Sequence, residues 1–190
     1  MKIFLTAAVS AAMLFALAAR TASIPTMQER SAAAGGLHYV VGHSESLRPV
    51  QIMRKLAADY PRSPFVQRDL SRTLIRAGDL LLAQNDPIEA LAAYRESLDI
   101  TRKLTAQDPN NAMWKYDLVV SLNSVGDVLT AQGDHRGALL AYGEGLNIIQ
   151  ELVSREPRDW QLRRGLLLSE NKVRDAQAAY RESRIDAVDQ

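Results

Sequence analysis

Apolar residues recur at helical spacing along most of the chain, from about residue 46 to residue 184. The first long stretch carries Phe65, Leu70, Leu74, Ala77 and Leu81. Steps of three to five residues place such side chains on one face of an α-helix. Further stretches with the same spacing follow, separated by turn-forming proline, glycine, asparagine and aspartate. The pattern predicts an all-α domain over residues 46–184.

Residues that cap helices set the predicted boundaries. A serine at 63 is followed by a proline at 64, which suits an N-cap and the first helical position. The aspartate at 86 is followed three residues later by a glutamate, a start that resembles a capping box. The predicted N-caps are Ser63, Asp86, Asn111 and Asp134. Two more helices are predicted, one from about residue 46 to 59 and one from about 159 to 184.

One segment of the chain occurs twice. When residues 61–108 are aligned with residues 109–156, 18 of 48 positions are identical. The identical pairs include Gly78 with Gly126 and Tyr94 with Tyr142. A fixed period of this size indicates stacked helical repeats, which offer an extended surface.

The repeated positions carry a family resemblance. A glycine is followed twelve residues later by an alanine, then by a tyrosine, and a proline closes the unit. These residues are Gly78, Ala90, Tyr94 and Pro109, and again Gly126, Ala138, Tyr142 and Pro157. This order resembles the tetratricopeptide repeat, with a period of 48 residues in place of about 34. Each helix of the pair is about two turns longer than usual.

The resemblance implies a right-handed solenoid of antiparallel helix pairs, with about two and a half repeats. Independently of the resemblance, both glycines lack a side chain and should allow close helix approach, and both tyrosines are expected to fill the space between pairs. The helix at 46–59 is the second helix of an incomplete repeat. In the last helix, Arg174 replaces the glycine and Glu170 replaces an apolar residue. We therefore expect residues 159–184 to be a polar C-terminal cap, followed by a tail at 185–190.

The N-terminal segment differs from the rest. Lys2 is followed by an uncharged apolar run at residues 3–19, and small residues occupy the A-x-A positions around residues 16–23. Residues 1–23 are predicted to be a secretory signal peptide, so that the protein is exported to the periplasm or outside the cell. An uncleaved membrane anchor through residues 3–19 and an ordinary helix are the alternatives. Residues 24–45, which lack a sustained period, are predicted to be a flexible linker.

Composition and the absence of known motifs argue against several classes of function. The net charge of +1 gives no basic excess for nucleic acid binding. The chain has no cysteine, which excludes disulfides, thiol catalysis and cysteine-type zinc sites. We find no phosphate-binding loop and no catalytic motif, so we expect no enzyme, no cofactor and no metal. The three histidines, at 38, 43 and 135, are interpreted as solvated residues beside loops or turns.

Several other residues receive structural interpretations. Trp114 and Trp160 follow the repeat-closing prolines, and both are predicted to anchor a helix start in the core. Asp69 and Asp117 lie inside long helices, where we expect charge pairing within a turn. Two further matched aspartates, at 79 and 127, could in principle form an acid–base pair, but decoration of a helix face is the simpler interpretation.

The predicted functional surface lies on the first helix of each pair, which the resemblance places along the concave groove. The predicted groove residues are Arg72, Ile75, Asp79, Asn123, Asp127, Asn171 and Asp175. Asparagine and aspartate can hydrogen-bond an extended peptide backbone, and the aspartates favour a basic or N–H-rich segment. The predicted function is a non-catalytic scaffold that binds a peptide or protein segment. The alternative is a homo-oligomeric assembly module without a separate ligand.

Overall fold

The computed structural model describes residues 47–186, which form six α-helices and contain no strand. The helices are α1 (47–59), α2 (Pro64–Ala83), α3 (Pro87–Gln107), α4 (Ala112–Ala131), α5 (His135–Arg155) and α6 (Trp160–Asp186). The prediction of an all-α helical-repeat solenoid is confirmed. The predicted signal or anchor at 1–23 and the linker at 24–45 lie outside the described residues, as does most of the tail.

All four predicted N-caps are confirmed. Each side-chain oxygen accepts a hydrogen bond from the backbone N–H three residues later, which satisfies one of the free donors at a helix start. The caps are Ser63 (3.4 Å), Asp86 (3.1 Å), Asn111 (3.2 Å) and Asp134 (2.9 Å). The last helix begins in the same way, because Asp159 accepts from Gln161 and Leu162 at 2.7 and 3.1 Å.

The tight turns inside both pairs use one geometry. Asn85 and Gly133, which are 48 residues apart, both have positive φ, at 61° and 79°. Only glycine and a few short polar residues adopt this left-handed conformation at low cost. The following aspartate then donates its backbone N–H to the last turn of the preceding helix, at 2.9 Å in both turns. This is a Schellman-type closure, and it directs each second helix back along the first.

The helices form two layers. The first helices of successive repeats, α2, α4 and α6, line one face, and the second helices, α1, α3 and α5, line the other. The core lies between them in apolar clusters that join consecutive helices, and its fully buried members include Leu74, Leu81, Leu122 and Ile149. The long helices give each repeat enough buried surface to hold its neighbours in register.

Gly78 and Gly126 each lie against a tyrosine ring of their own pair. A Cβ atom at Gly126 would lie 2.7 Å from Cδ1 and 2.8 Å from Cζ of Tyr142. Tyr94 makes the same close approach to Gly78. The tyrosines therefore pack inside their own pair as well as between pairs, where Tyr142 shares an apolar cluster with Ala176 of α6, as predicted. Tyr94 also belongs to the apolar cluster that includes α4, so it reaches the next pair as well.

Ion pairs between helices repeat with the same period. On the second-helix face, Arg54 pairs with Glu96, and Arg102 pairs with Glu144 at 2.7 Å. The members of both pairs are a third to a half exposed, and such surface pairs contribute only about 0–1 kcal/mol each. Their spacing reflects the 48-residue register of the stack, and their contribution to its stability is small.

Three expectations are wrong in detail. Asp117 pairs with Arg68 of α2 at 2.5 Å, across two helices and not within a turn. Trp114 packs partly buried against the core as predicted, but Trp160 is 62% exposed. Phe65, the first residue of the apolar face predicted for α2, is 78% exposed. Trp160 is exposed because of the repeat register. Residue 162, not Trp160, occupies the position equivalent to Trp114, and residue 162 is buried.

Among the described helices, none is both long and apolar enough to cross a bilayer. The apolar run at 3–19 lies outside the described residues.

Candidate functional site

The face formed by the first helices contains a cleft between α2 and α4. We call it the α2–α4 cleft, and its volume is about 220 Å³. It is lined by Ser71, Arg72, Ile75, Arg76, Ser97, Tyr116, Asp117, Val120 and Ser121. Two of the predicted groove residues, Arg72 and Ile75, therefore line a real depression.

The floor of this cleft is a set of buried hydroxyl groups. The oxygens of Ser97 and Ser121 lie 3.0 Å apart, and Thr101 donates to Ser121 at 3.4 Å. Ser71, at the side, donates to the backbone carbonyl of Arg68 at 2.8 Å. Each serine and threonine here is at most 1% exposed. Because these hydroxyls bond to one another or to backbone carbonyls, the floor is polar and also stable.

Charged side chains form the walls of the cleft. Asp117 is only 13% exposed at its side chain and is paired with Arg68, which neutralises it. Arg72 and Arg76 lie one turn apart on α2 and are both exposed. Neither arginine has a side-chain partner among residues 47–186, so two guanidinium groups remain available at the opening.

Two wider clefts continue along the same face. One, of about 490 Å³, is bounded by Arg68, Arg72, Ala112, Met113, Tyr116, Asp117, Glu156, Asp159, Gln161 and Leu162. The other, of about 360 Å³, is bounded by Tyr116, Trp160, Gln161, Arg164 and Leu168. Because Tyr116 borders all three clefts, they form a continuous surface across α2, α4 and α6.

Sequence reasoning missed several residues of this surface, namely Arg76, Tyr116, Trp160 and Arg164. The repeat period contains the signal that would have found two of them. Arg68, Tyr116 and Arg164 occupy one position in three successive first helices, 48 residues apart.

The two repeat-matched aspartates of the predicted groove each accept a hydrogen bond from a tyrosine of this chain. Tyr94 donates its phenol to Asp79, and Tyr142 donates to Asp127, both at 2.7 Å. Lys172 also bonds to Asp127, and its ammonium lies 5.3 Å from the centroid of the Tyr142 ring. Burial, followed by these hydrogen bonds, raises the pKa of both phenols above the ordinary tyrosine value. The aspartates thus support the packed tyrosines.

The remaining predicted residues lie near the far end of the face. The side-chain amide of Asn123 donates to Ser169 at 3.5 Å, while its oxygen is buried without a hydrogen-bond partner among the described residues. Asn171 accepts a hydrogen bond from Arg174. Asp175 is 78% exposed at its side chain. Asn123 lies on α4, and Asn171 and Asp175 lie on α6, but none of the three lines the clefts described above.

Within residues 47–186, no group of three or more histidine and acidic side chains is placed to hold a metal ion.

Comparison with known protein families finds a match to part of the chain. Residues 70–109, which run from α2 to the proline after α3, match a family model described as tetratricopeptide repeat. No curated protein matches the chain.

Proposed function

We propose that this chain, a tetratricopeptide-repeat protein, is a non-catalytic scaffold that binds an extended segment of another protein across its first-helix face. Tetratricopeptide repeats generally mediate protein–protein interaction, and members of the family are typically not catalysts. The observation that carries the proposal is the continuous set of clefts across α2, α4 and α6, with Tyr116 at its centre.

The side chains along this face suit a protein ligand. Leu168 is 49% exposed, Met113 is 54% exposed and Trp160 is 62% exposed, all beside the clefts. Aromatic, methionine and arginine side chains are enriched at protein interfaces, where they contribute most of the binding energy. The proposed groove comprises the seven predicted residues together with Tyr116, Val120 and Trp160. Arg72 and Ile75 are the predicted residues closest to the ligand.

A cleft-filling variant tests this proposal. Val120 is half-buried in the lining of the α2–α4 cleft, so Val120→Trp should fill the cleft without entering the core. Peptides are selected from a random displayed library on the parent protein, and their affinities for the variant are then measured. The matched control is Leu140→Trp, on the second-helix face, where Leu140 is 68% exposed. We expect the selected peptides to lose affinity for Val120→Trp and to retain it for the control.

The opposite result is equally clear. If the selected peptides bind both tryptophan variants as tightly as the parent, the first-helix face is not the binding surface.

The alternative function, self-assembly, is favoured by one observation at the N-terminal end of the stack. Helix α1 and the residue that follows it expose Ile52 (62%), Leu56 (38%) and Tyr60 (58%) at four-residue spacing. The equivalent residues of the next repeat, Ile100 and Leu104, are 9% and 2% exposed. If this stripe joins two copies, light scattering should show a dimer that becomes monomeric in Ile52→Glu/Leu56→Glu. A monomer at all concentrations excludes this role.

We also propose export, on the evidence of Lys2 and the apolar run at 3–19. N-terminal sequencing of the secreted protein should find a mature start between residues 19 and 24. An intact Met1 in a membrane fraction would support the anchor alternative.

A further inference from the structure

The α2–α4 cleft holds more positive than negative charge. Its charged lining residues are Arg72, Arg76 and Asp117. Asp117 is already neutralised by Arg68 at 2.5 Å. The two remaining guanidinium groups lie one turn apart on the same face of α2, at the opening of a cleft whose hydroxyl floor is internally bonded. The groups in the cleft that remain without a partner are therefore positively charged.

The sequence-based expectation of a basic ligand depended on the aspartates at 79 and 127. In the structure, each accepts a hydrogen bond from a buried tyrosine, and Asp127 also pairs with Lys172. A basic segment would have to compete with these partners. Asp69 is exposed and lines a neighbouring cleft towards α1 together with Arg72 and Arg76, but it does not line the α2–α4 cleft and forms no ion pair with either arginine.

The walls of the cleft are apolar between the charged groups. Ile75 packs partly buried against the core, and Tyr116 and Val120 are half-buried on the opposite side. In an extended peptide, successive side chains point in opposite directions. A segment in which acidic and apolar residues alternate could therefore direct its carboxylates towards the arginines on α2 and its apolar side chains towards Tyr116 and Val120 on α4.

We propose that the partner segment is acidic, and that Arg72 and Arg76 bind its aspartate or glutamate carboxylates. A planar guanidinium donates paired hydrogen bonds to a carboxylate, so the two arginines give both charge and orientation. The inference rests on the proposed function of this face and specifies the chemistry of its ligand.

The test uses short fluorescent peptides that differ in one residue type. The probe alternates glutamate and leucine, and its counterparts replace glutamate by glutamine or by lysine. Binding to the full chain is followed by fluorescence anisotropy. We expect the glutamate peptide to bind most tightly, and added salt to weaken its binding. The double variant Arg72→Gln/Arg76→Gln should weaken it by about tenfold or more, since charge-assisted hydrogen bonds are lost.

A matched control removes the same charge elsewhere. Arg95 and Arg136 lie on the second helices α3 and α5, are exposed, and have no side-chain partner among the described residues. Arg95→Gln/Arg136→Gln should leave the affinity within about twofold of the parent, because its charges are distant from the cleft and largely screened. Circular dichroism confirms that both double variants are folded.

Other outcomes overturn the inference. Glutamate-peptide binding that is absent, or that falls equally in both double variants, excludes specific carboxylate recognition by Arg72 and Arg76. Tighter binding of the lysine peptide excludes an acidic partner. If the glutamine peptide binds as tightly as the glutamate peptide and Val120→Trp abolishes both, the groove function stands and the acidic ligand is wrong. If peptides bind but Val120→Trp weakens none of them, the proposed function fails.

Discussion

The contact between Gly126 and Tyr142 allows a sharp test of the fold. Ordinary carbon contacts begin near 3.4 Å, whereas a new Cβ would lie 2.7 Å from Cδ1 of the ring. The ring would have to move by about 0.7 Å or more. It is 3% exposed, and its hydroxyl is held by Asp127 at 2.7 Å and Thr130 at 3.3 Å. The ring therefore has little freedom to give way.

Two effects oppose each other in Gly126→Ala. Replacing a mid-helix glycine by alanine stabilises a helix by about 0.5–1 kcal/mol. Overpacking of a filled core destabilises by about 1–3 kcal/mol. We expect the overpacking to dominate, so that the variant has a lower free energy of unfolding than the parent.

Another glycine provides the control. Gly143 lies inside α5, and a Cβ at this position would have no neighbour within 4 Å. Gly143→Ala should therefore show the helix-propensity gain alone, about 0.5–1 kcal/mol of stabilisation. The difference between the two variants isolates the overpacking term, about 1–3 kcal/mol.

The measurement is urea denaturation followed by far-ultraviolet circular dichroism. The midpoint should decrease for Gly126→Ala and increase for Gly143→Ala, with the same slope. If Gly126→Ala is as stable as Gly143→Ala, the close approach between the helices is not a packing constraint. A second arm replaces the tyrosine by leucine in both backgrounds, and the alanine penalty should then largely disappear.

Two further predictions concern polar contacts. Tyr142→Phe removes the hydrogen bond to Asp127 and should lower the free energy of unfolding by about 1 kcal/mol. Because the folded-state pKa of this phenol lies above the ordinary 10.0, the stabilisation by the hydrogen bond should be complete below about pH 10 and be lost at higher pH. An equal effect of the substitution above and below about pH 10 would contradict the assignment. Arg68→Gln leaves Asp117, whose side chain is only 13% exposed, without its ion-pair partner and should destabilise the fold by about 1–3 kcal/mol. Arg102→Gln, in an exposed pair, should cost less than about 1 kcal/mol. Equal thermal shifts for the two arginine variants would refute this ranking.

Local chemistry made much of the fold predictable. The N-caps depend on contacts only three residues apart, so Asp86 and Asp134 could be assigned from the sequence alone. The 48-residue period likewise predicted the helix pairs, since whole turns preserve the face on which each side chain lies. It also predicted that the glycines at 78 and 126 lie at close helix contacts.

The proposed binding surface depends on distances that the sequence does not contain. Asp117 and Asp127 are both repeat-matched aspartates, yet one pairs with an arginine 49 residues earlier and the other accepts from a tyrosine 15 residues later. Those choices follow from how neighbouring helices stack.

The sequence therefore determined the helices, their caps, the repeat register and the absence of thiol chemistry, because each depends on composition or on contacts within a few residues. Only the tertiary structure decided which charged side chains are paired within the described residues and which are not. It paired the aspartates at 79, 117 and 127 internally, left Arg72 and Arg76 without partners among the described residues, and exposed Trp160 beside the clefts. The physical reason is that hydrogen bonds and ion pairs between helices form only where the packing brings their groups within about 3 Å of each other.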